Sequence, residues 1–272
     1  MSDLWVPPRA SLWRPSRPDS RRSWKHASGA TPSAPSYNSY LPTLGPSGPT
    51  IWYQMAESSG STAIDSSGNN HTGTYQSGYS LASSPNPPMG GTPVDFSAPS
   101  GGITPNVSFI FSGSETAITY IIWYYRTDTT SGQNWNLISA GYPPPTITDA
   151  GFALWQTNGG TAELATAIDT SGSGYTLLTG SIGADNTWHM AAAVWTKTGT
   201  LDGTNNFILF RDGSELAGSV VTGSFTAASN PFVTLTGGWP SSGPYLGQAC
   251  QMAMWDGYAV TLTELATLYG LA

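Results

Sequence analysis

Charge is what this 272-residue chain has least of: 9% of its residues are Asp, Glu, Lys or Arg, and only nine are basic. Lys, Glu and Arg are the helix formers that solvate helix surfaces. Their scarcity, beside 32 Gly and 21 Pro, excludes an α-helical bundle and favours strands and turns. The single cysteine, Cys250, has no partner for an internal disulfide, so hydrophobic burial must hold the fold. No stretch approaches the ~18 apolar residues of a membrane span. A secretory leader needs roughly 7 to 15 apolar residues after its first basic ones, and Pro7, Pro8, Pro15 and Pro18 interrupt that region instead. Synthesis without export is the expectation, which leaves the sequons at Asn70 and Asn106 without a role.

The charge that is present is divided unevenly. The opening stretch MSDLWVPPRASLWRPSRPDSRRSWKH carries Arg9, Arg14, Arg17, Arg21, Arg22 and Lys25 against Asp3 and Asp19, a net +4. The remainder carries Arg126, Lys197 and Arg211 against fourteen acids, a net −11. Up to about Pro49 there is no sustained apolar period of 2 or 3.6, and SGATPSAPSYNSYLPTLGPSGPT is uncharged and rich in Pro, Ser and Gly. The expected organisation is an extended arm and linker over residues 1–49 and a folded domain over 50–272. Six cations could neutralise phosphates, but the attached acidic domain repels a polyanion, so nucleic acid is the weaker partner. Trp5, Trp13 and Trp24, spaced by prolines, suit insertion into pockets of a partner protein. The arginines at 9, 14, 17, 21 and 22 would supply ion pairs there.

Beyond Thr50 the chain alternates short strand-like runs with turn clusters, the pattern of an all-β antiparallel sandwich or jelly roll. Ala117 to Arg126 and Trp188 to Trp195 are apolar on both alternating faces, as in central strands packed on each side. Asp212-Gly213 between ILFR and SELAG predicts a two-residue type I′ hairpin. Only TELATLY, Thr263 to Tyr269, reads as helical.

Four stretches in order, YQMAESSGSTAIDSSGNNHTGTY, ADNTWHMAAAV, ILFRDGSEL and MAMWDGYAVTLTELATLY, resemble the laminin-G-like or concanavalin A-like jelly-roll family of bacterial and phage proteins. The resemblance spans about residues 51 to 270. It implies two antiparallel sheets with a curved face used to bind glycans, peptides or neighbouring subunits. At the C-terminal strand, where the family often has an acidic pair, this chain has Cys250 and Gln251. A tryptophan-, proline- and arginine-bearing N-terminus ahead of such a jelly roll is also similar to minor tail proteins of actinobacteriophages. That similarity implies a virion component at the tail tip, homo-oligomeric in the particle, docked on other virion proteins and adhering to host-envelope glycan.

Chemistry is sparse. Glycoside hydrolysis needs two carboxylates facing one bond, but Glu57, Glu115, Glu163, Glu215 and Glu264 are isolated along the chain, so a non-enzymatic role is expected. His26, His71 and His189 lack metal-ligand spacing. His189 follows Trp188 where the resemblance places a structural Trp-His pair. Calcium, which the fold often holds in loops, has only Asp65, Asn69 and Asn70 as candidate ligands, against the 6 to 8 oxygens it usually takes. Asx turns and a left-handed Gly68 account for that loop better, and no cofactor is expected. The ring-bearing loops GQNWNLISAGYPPPTITD and TGGWPSSGPYLG are the stronger signal. Trp135, Tyr142, Trp239 and Tyr245 lie there among turn formers, placed to stack on sugar faces or to cover the sandwich ends against a neighbour.

Overall fold

A computed structural model describes residues 34–96, 101–106, 111–126, 134–140, 151–158, 162–182, 186–226, 233–235 and 247–272, with backbone alone at 134, 158 and 233–235. The chain divides into two units, Met1–Ala34 and Pro35–Ala272. Every arm residue named above, from Trp5 to Trp24, lies outside the described residues.

The second unit opens with the single helical turn α1 (Tyr37–Tyr40), a 3-10 turn over Leu41–Thr43, and the strands β1 (Ile51–Tyr53), β2 (Thr62–Ala63), β3 (Gly73–Tyr75) and β4 (Tyr79–Ser80). There follow β5 (Val94–Phe96), β6 (Ile103–Pro105), β7 (Ala117–Arg126), β8 (Asn134–Ala140), β9 (Phe152–Asn158) and β10 (Ala162–Thr170). The chain closes with β11 (Gly174–Ser181), β12 (Trp188–Thr196), β13 (Phe207–Arg211), β14 (Ser214–Ser219), β15 (Val233–Leu235), β16 (Gly247–Asp256) and helix α2 (Leu262–Gly270).

These strands form two antiparallel sheets of eight. One runs β14-β13-β12-β7-β16-β5-β4 with β1 also on β16, and the other runs β11-β10-β9-β8-β15-β6-β3-β2. The apolar runs expected to be central are central: β7 lies between β12 and β16, and its first eight residues are buried. Alternation sends Ile118, Tyr120, Ile122 and Tyr124 between the sheets, where Tyr120 meets Phe152 of β9 at 4.7 Å. The opposite face of β7 is covered as well. Trp123 stacks on Tyr269 of α2 at 5.8 Å and takes the edge of Tyr37 at 6.2 Å. The jelly roll is therefore a sandwich whose first sheet carries a third, partial layer.

That layer moves the domain boundary. Composition assigns residues 35–49 to the linker, yet Tyr37, Leu41 and Leu44 are at most 2% exposed, and the Leu44 carbonyl accepts the Trp255 indole N–H at 3.1 Å. YNSYLPTL carries too few apolar residues to show a period, but three of them reach the core. The domain begins at Pro35 rather than residue 50.

The hairpin expectation holds in detail. Asp212 (φ 48°) and Gly213 (φ 86°) are both left-handed, with Arg211 paired to Ser214. Helix α2 starts one residue before the expected span, because Thr261 and Glu264 form a capping box in which the Thr261 hydroxyl accepts the Glu264 N–H at 3.2 Å.

Candidate functional site

Register decides which strand ends lie together. In β8 and β15, Ala140 pairs with Val233 and Ile138 with Leu235, so β15 leaves toward the end of the sandwich where β8 begins. At that same end β16 enters, with Gly247 opposite Arg126 at the exit of β7. Trp135 stands at that same end of β8. Tyr142, Trp239 and Tyr245 themselves lie outside the described residues.

Trp135 corrects the sequence reading. It is not a loop ring offered to solvent: it is in β8, 1% exposed, paired with Gln156, and capped by the Arg126 guanidinium 4.2 Å from its ring centre. The neighbouring turn formers suggested a loop, but a bulge between Asn136 and Ile138 lets a polar-flanked strand keep its apolar positions inward. The ring already has a cation–π partner and cannot stack on a sugar without displacing it.

The same end gathers two of the domain's three Lys and Arg side chains, Arg126 and Arg211. Arg126 is 4% exposed. On the adjacent β12, His189 lies opposite Tyr124, and Arg211 follows on β13. His189 Nδ1 bonds Asp212 Oδ2, its Nε2 lies 2.8 Å from the Thr187 hydroxyl, and Arg211 Nη2 is 2.9 Å from the ring. Asp212 Oδ1 accepts the Met190 N–H at 2.9 Å, and Arg211 Nη1 donates to the Ile182 carbonyl at 3.0 Å. This network locks the Asp212-Gly213 hairpin to β12 and to the end of β11, so His189 is the hydrogen-bonded structural histidine that was expected. The roles of Arg126 and Arg211 were missed. The signal was there, since two lone cations ending apolar strands must be paired inside.

The Asp65 loop is filled from within. Oδ1 accepts the N–H groups of Trp52 (3.0 Å) and Ser67 (2.9 Å), and Oδ2 accepts the His71 N–H (2.7 Å) and the Ser67 hydroxyl (2.8 Å). Burial pushes this carboxyl up, but those donors outweigh it and hold it below the usual aspartate range. Asn69 points its amide N–H at the carbonyls of Pro49 and Thr50, while Gly68 (φ 89°) and Asn70 (φ 61°) are left-handed. A cation would have to compete with four donors for one carboxylate, so the residues present do not fit calcium.

Folding also brings acids together that are distant in sequence. Glu215 of β14 is pushed up by burial and by the charge of Asp202, and Asp256 by burial and the charge of Glu115. Asp202 is already committed to the N–H of Thr204 at 2.7 Å and to the Asn205 backbone and side chain. Of that pair only Glu215 lines the open groove between the hairpin and α2, so the two do not flank a cleft as glycosidase carboxylates do.

Residues 97–266 match the family model described as the concanavalin A-like lectin/glucanases superfamily. The chain belongs to that superfamily. Its sandwich of two antiparallel sheets is the lectin-like jelly roll of that group. Among solved structures it is similar to the receptor binding domain of botulinum neurotoxin C/D mosaic serotype (TM-score 0.60, 11% identity, 82% of this chain and 51% of that one). It is also similar to domain 4 of AbnA, a GH43 extracellular arabinanase from Geobacillus stearothermophilus, solved with arabinotriose (0.56, 15%, 81% and 98%). A third is the Trypanosoma rangeli sialidase (0.58, 13%, 86% and 36%). The lectin-like chain spans about half the length of the toxin domains it resembles. No curated protein sequence matches it. Among the described residues, no helix is long and apolar enough to cross a membrane.

Proposed function

We propose that this protein is a structural component of a phage virion, a minor tail protein at the tail tip, that presents its lectin-like domain to glycan of the host envelope. The observation that carries the reading is the division of the chain. A jelly roll from Pro35 to Ala272 follows a stretch whose sequence supplies three tryptophans and six cations and no apolar period. The first part is suited to lie along another virion protein and the second to contact a sugar. Domain 4 of AbnA was solved with arabinotriose and the toxin relatives are receptor binding domains, so the same sandwich serves recognition elsewhere. Several copies in a particle give avidity from weak single sites. No catalytic step and no cofactor belongs to this role.

A second reading, a capsid or tail decoration protein with purely structural contacts, is favoured by one observation. Trp135, an expected ring platform, is interior, and so is Trp155 on the face of β9 turned from the main core. Binding of labelled fragment 35–272 to host cells separates the two. Adhesion that falls at least tenfold in the Trp239→Ala/Tyr245→Ala variant supports the adhesin, whereas no adhesion by the parent fragment supports decoration. Particles assembled with a chain lacking residues 1–34 should lack the protein, and normal incorporation would overturn the docking role of the arm.

A further inference from the structure

Helix α2 and the β13–β14 hairpin form the walls of an open groove of about 560 Å3. The walls are held together at Gly213, where a Cβ would meet the Tyr269 ring at 2.9 Å, and that ring stacks on Trp123 in turn. The groove is therefore preformed. Phe210, 1% exposed, is followed across the turn by its strand partner Glu215, and Leu262 and Ala266 line the groove from α2. Thr263 and Thr267 add hydroxyls, and Glu215 is the one charged side chain lining it among the described residues. An apolar surface that ends on a single carboxylate suits a ring and a cation side by side.

That carboxylate lacks a counter-charge. Among the described residues neither Glu215 nor its neighbour Asp202 forms an ion pair, and burial together with the charge of Asp202 pushes the Glu215 carboxyl up. The folded unit has three Lys and Arg side chains, and each is committed elsewhere. Arg211 pairs with Asp212, Lys197 Nζ donates to the Ser224 hydroxyl at 2.9 Å, and Arg126 covers the Trp135 ring. A cation for Glu215 must therefore come from outside that unit. The sequence holds one segment of matching chemistry: residues 1–26 carry a net +4 against −11 for 27–272, and they set Trp13 beside Arg14 and Trp24 beside Lys25.

We propose that this groove receives the N-terminal arm of a second copy of the chain, a tryptophan lying on Phe210, Leu262 and Ala266 and the cation next to it on Glu215. A proline-broken segment has few conformations to lose on docking, and ring and cation together supply the anchor. Each copy offers one arm and one groove, a head-to-tail contact that links copies into a ring or a row. This inference rests on the reading of the arm as a docking segment and names its partner.

The test is sedimentation equilibrium of the full chain at low and at high salt. The expected result is self-association that salt weakens, that is lost in the chain lacking residues 1–34, and that falls roughly tenfold or more in Glu215→Arg and in the groove-filling Ala266→Trp. Glu215 and Ala266 are both exposed, so these variants keep the fold. Glu163→Arg, an equal change of charge on the other sheet, should leave self-association as it is. A monomeric full chain, association that persists without residues 1–34, association undiminished in both groove variants, or an equal loss in Glu163→Arg would overturn the proposal. Particle incorporation separates it from the reading beneath it. A monomeric chain whose form lacking residues 1–34 is still excluded from particles docks its arm on a different virion protein, and the groove alone is removed. Self-association that follows the groove variants, with normal incorporation of the form lacking the arm, upholds the groove and removes the docking role in assembly.

Discussion

A single side chain shows how far burial can overrule a local pattern. Trp135 stands between Asn134 and Asn136 in a stretch of turn formers, yet it is interior because Arg126 closes over it from the facing sheet. Replacing it with Ala should cost about 3–5 kcal/mol of stability, as for other buried aromatic truncations, and should lower the urea midpoint; a neutral effect on the midpoint would return the ring to the surface. Asp65 makes the converse case, a polar side chain whose whole hydrogen-bonding capacity is local. With its oxygen kept toward Trp52 and Ser67, Asp65→Asn would turn its NH2 toward the His71 backbone N–H and should cost roughly 1–3 kcal/mol at pH 7. Its carboxyl is held below the usual range, so the lost contribution is present above the ordinary aspartate pKa and disappears as pH falls through the lowered value. The gap between wild type and Asp65→Asn in urea should therefore narrow toward pH 3. Calcium or EDTA should leave the wild-type melting temperature within about 1 °C, because a ligand that does not bind the folded state shifts nothing.

Among the elements, the one composition hides is the turn pair at the domain's start. Tyr37, Leu41 and Leu44 are buried against Trp123 and Trp255. Full burial of each side chain is worth about 1.5–3 kcal/mol, so a fragment beginning at residue 50 should be less stable than one beginning at 35 by roughly 5 kcal/mol. Chemical denaturation of the two fragments checks this, and equal midpoints would restore the boundary to residue 50. The reason it was illegible is physical: three buried residues in eight, spread over two short turns, produce no periodicity. Where an element is long, the pattern was sufficient. β7 and β12 announce themselves as two-sided apolar strands, and Asp212-Gly213 as a left-handed two-residue turn. The contacts of Gln251 are the other extreme. Asn38, Trp52 and Gln251 belong to three separate stretches and are hydrogen-bonded only because β1 pairs with β16 and a bulge interrupts β16 between Cys250 and Ala253. Nothing in the sequence marks a bulge in an apolar strand, apart from the polar Gln251 amid CQMAMW.

At the scale of the whole molecule the dominant fact is an acidic domain with few cations, and this fixes how stability responds to pH. Asp95, Asp169, Glu215 and Asp256 are each pushed up first by burial, with the charge of Asp202 adding to Glu215 and that of Glu115 adding to Asp256. The folded state holds those protons more tightly than the unfolded chain, so their contribution is full below the ordinary carboxylate pKa and is lost as pH rises through the raised values. Asp65 and Asp202 act in the opposite sense: their contribution is present above the ordinary pKa and is lost as pH falls through the lowered values. The net charge of −11 on residues 27–272 adds self-repulsion that protonation relieves. Taken together these place the stability maximum on the acid side of neutrality, at about pH 4–5 given ordinary carboxylate values near 4. The melting temperature should rise as pH is lowered from 7 to 5 and fall again below about 3. A steady fall from pH 7 would mean that the hydrogen-bonded aspartates outweigh the buried ones. Glu215→Gln separates the two effects, because it removes one raised carboxyl and its repulsion with Asp202 together. The variant should melt higher than wild type at pH 7 and show a smaller rise on acidification, and an unchanged rise would assign the pH response to the remaining buried acids.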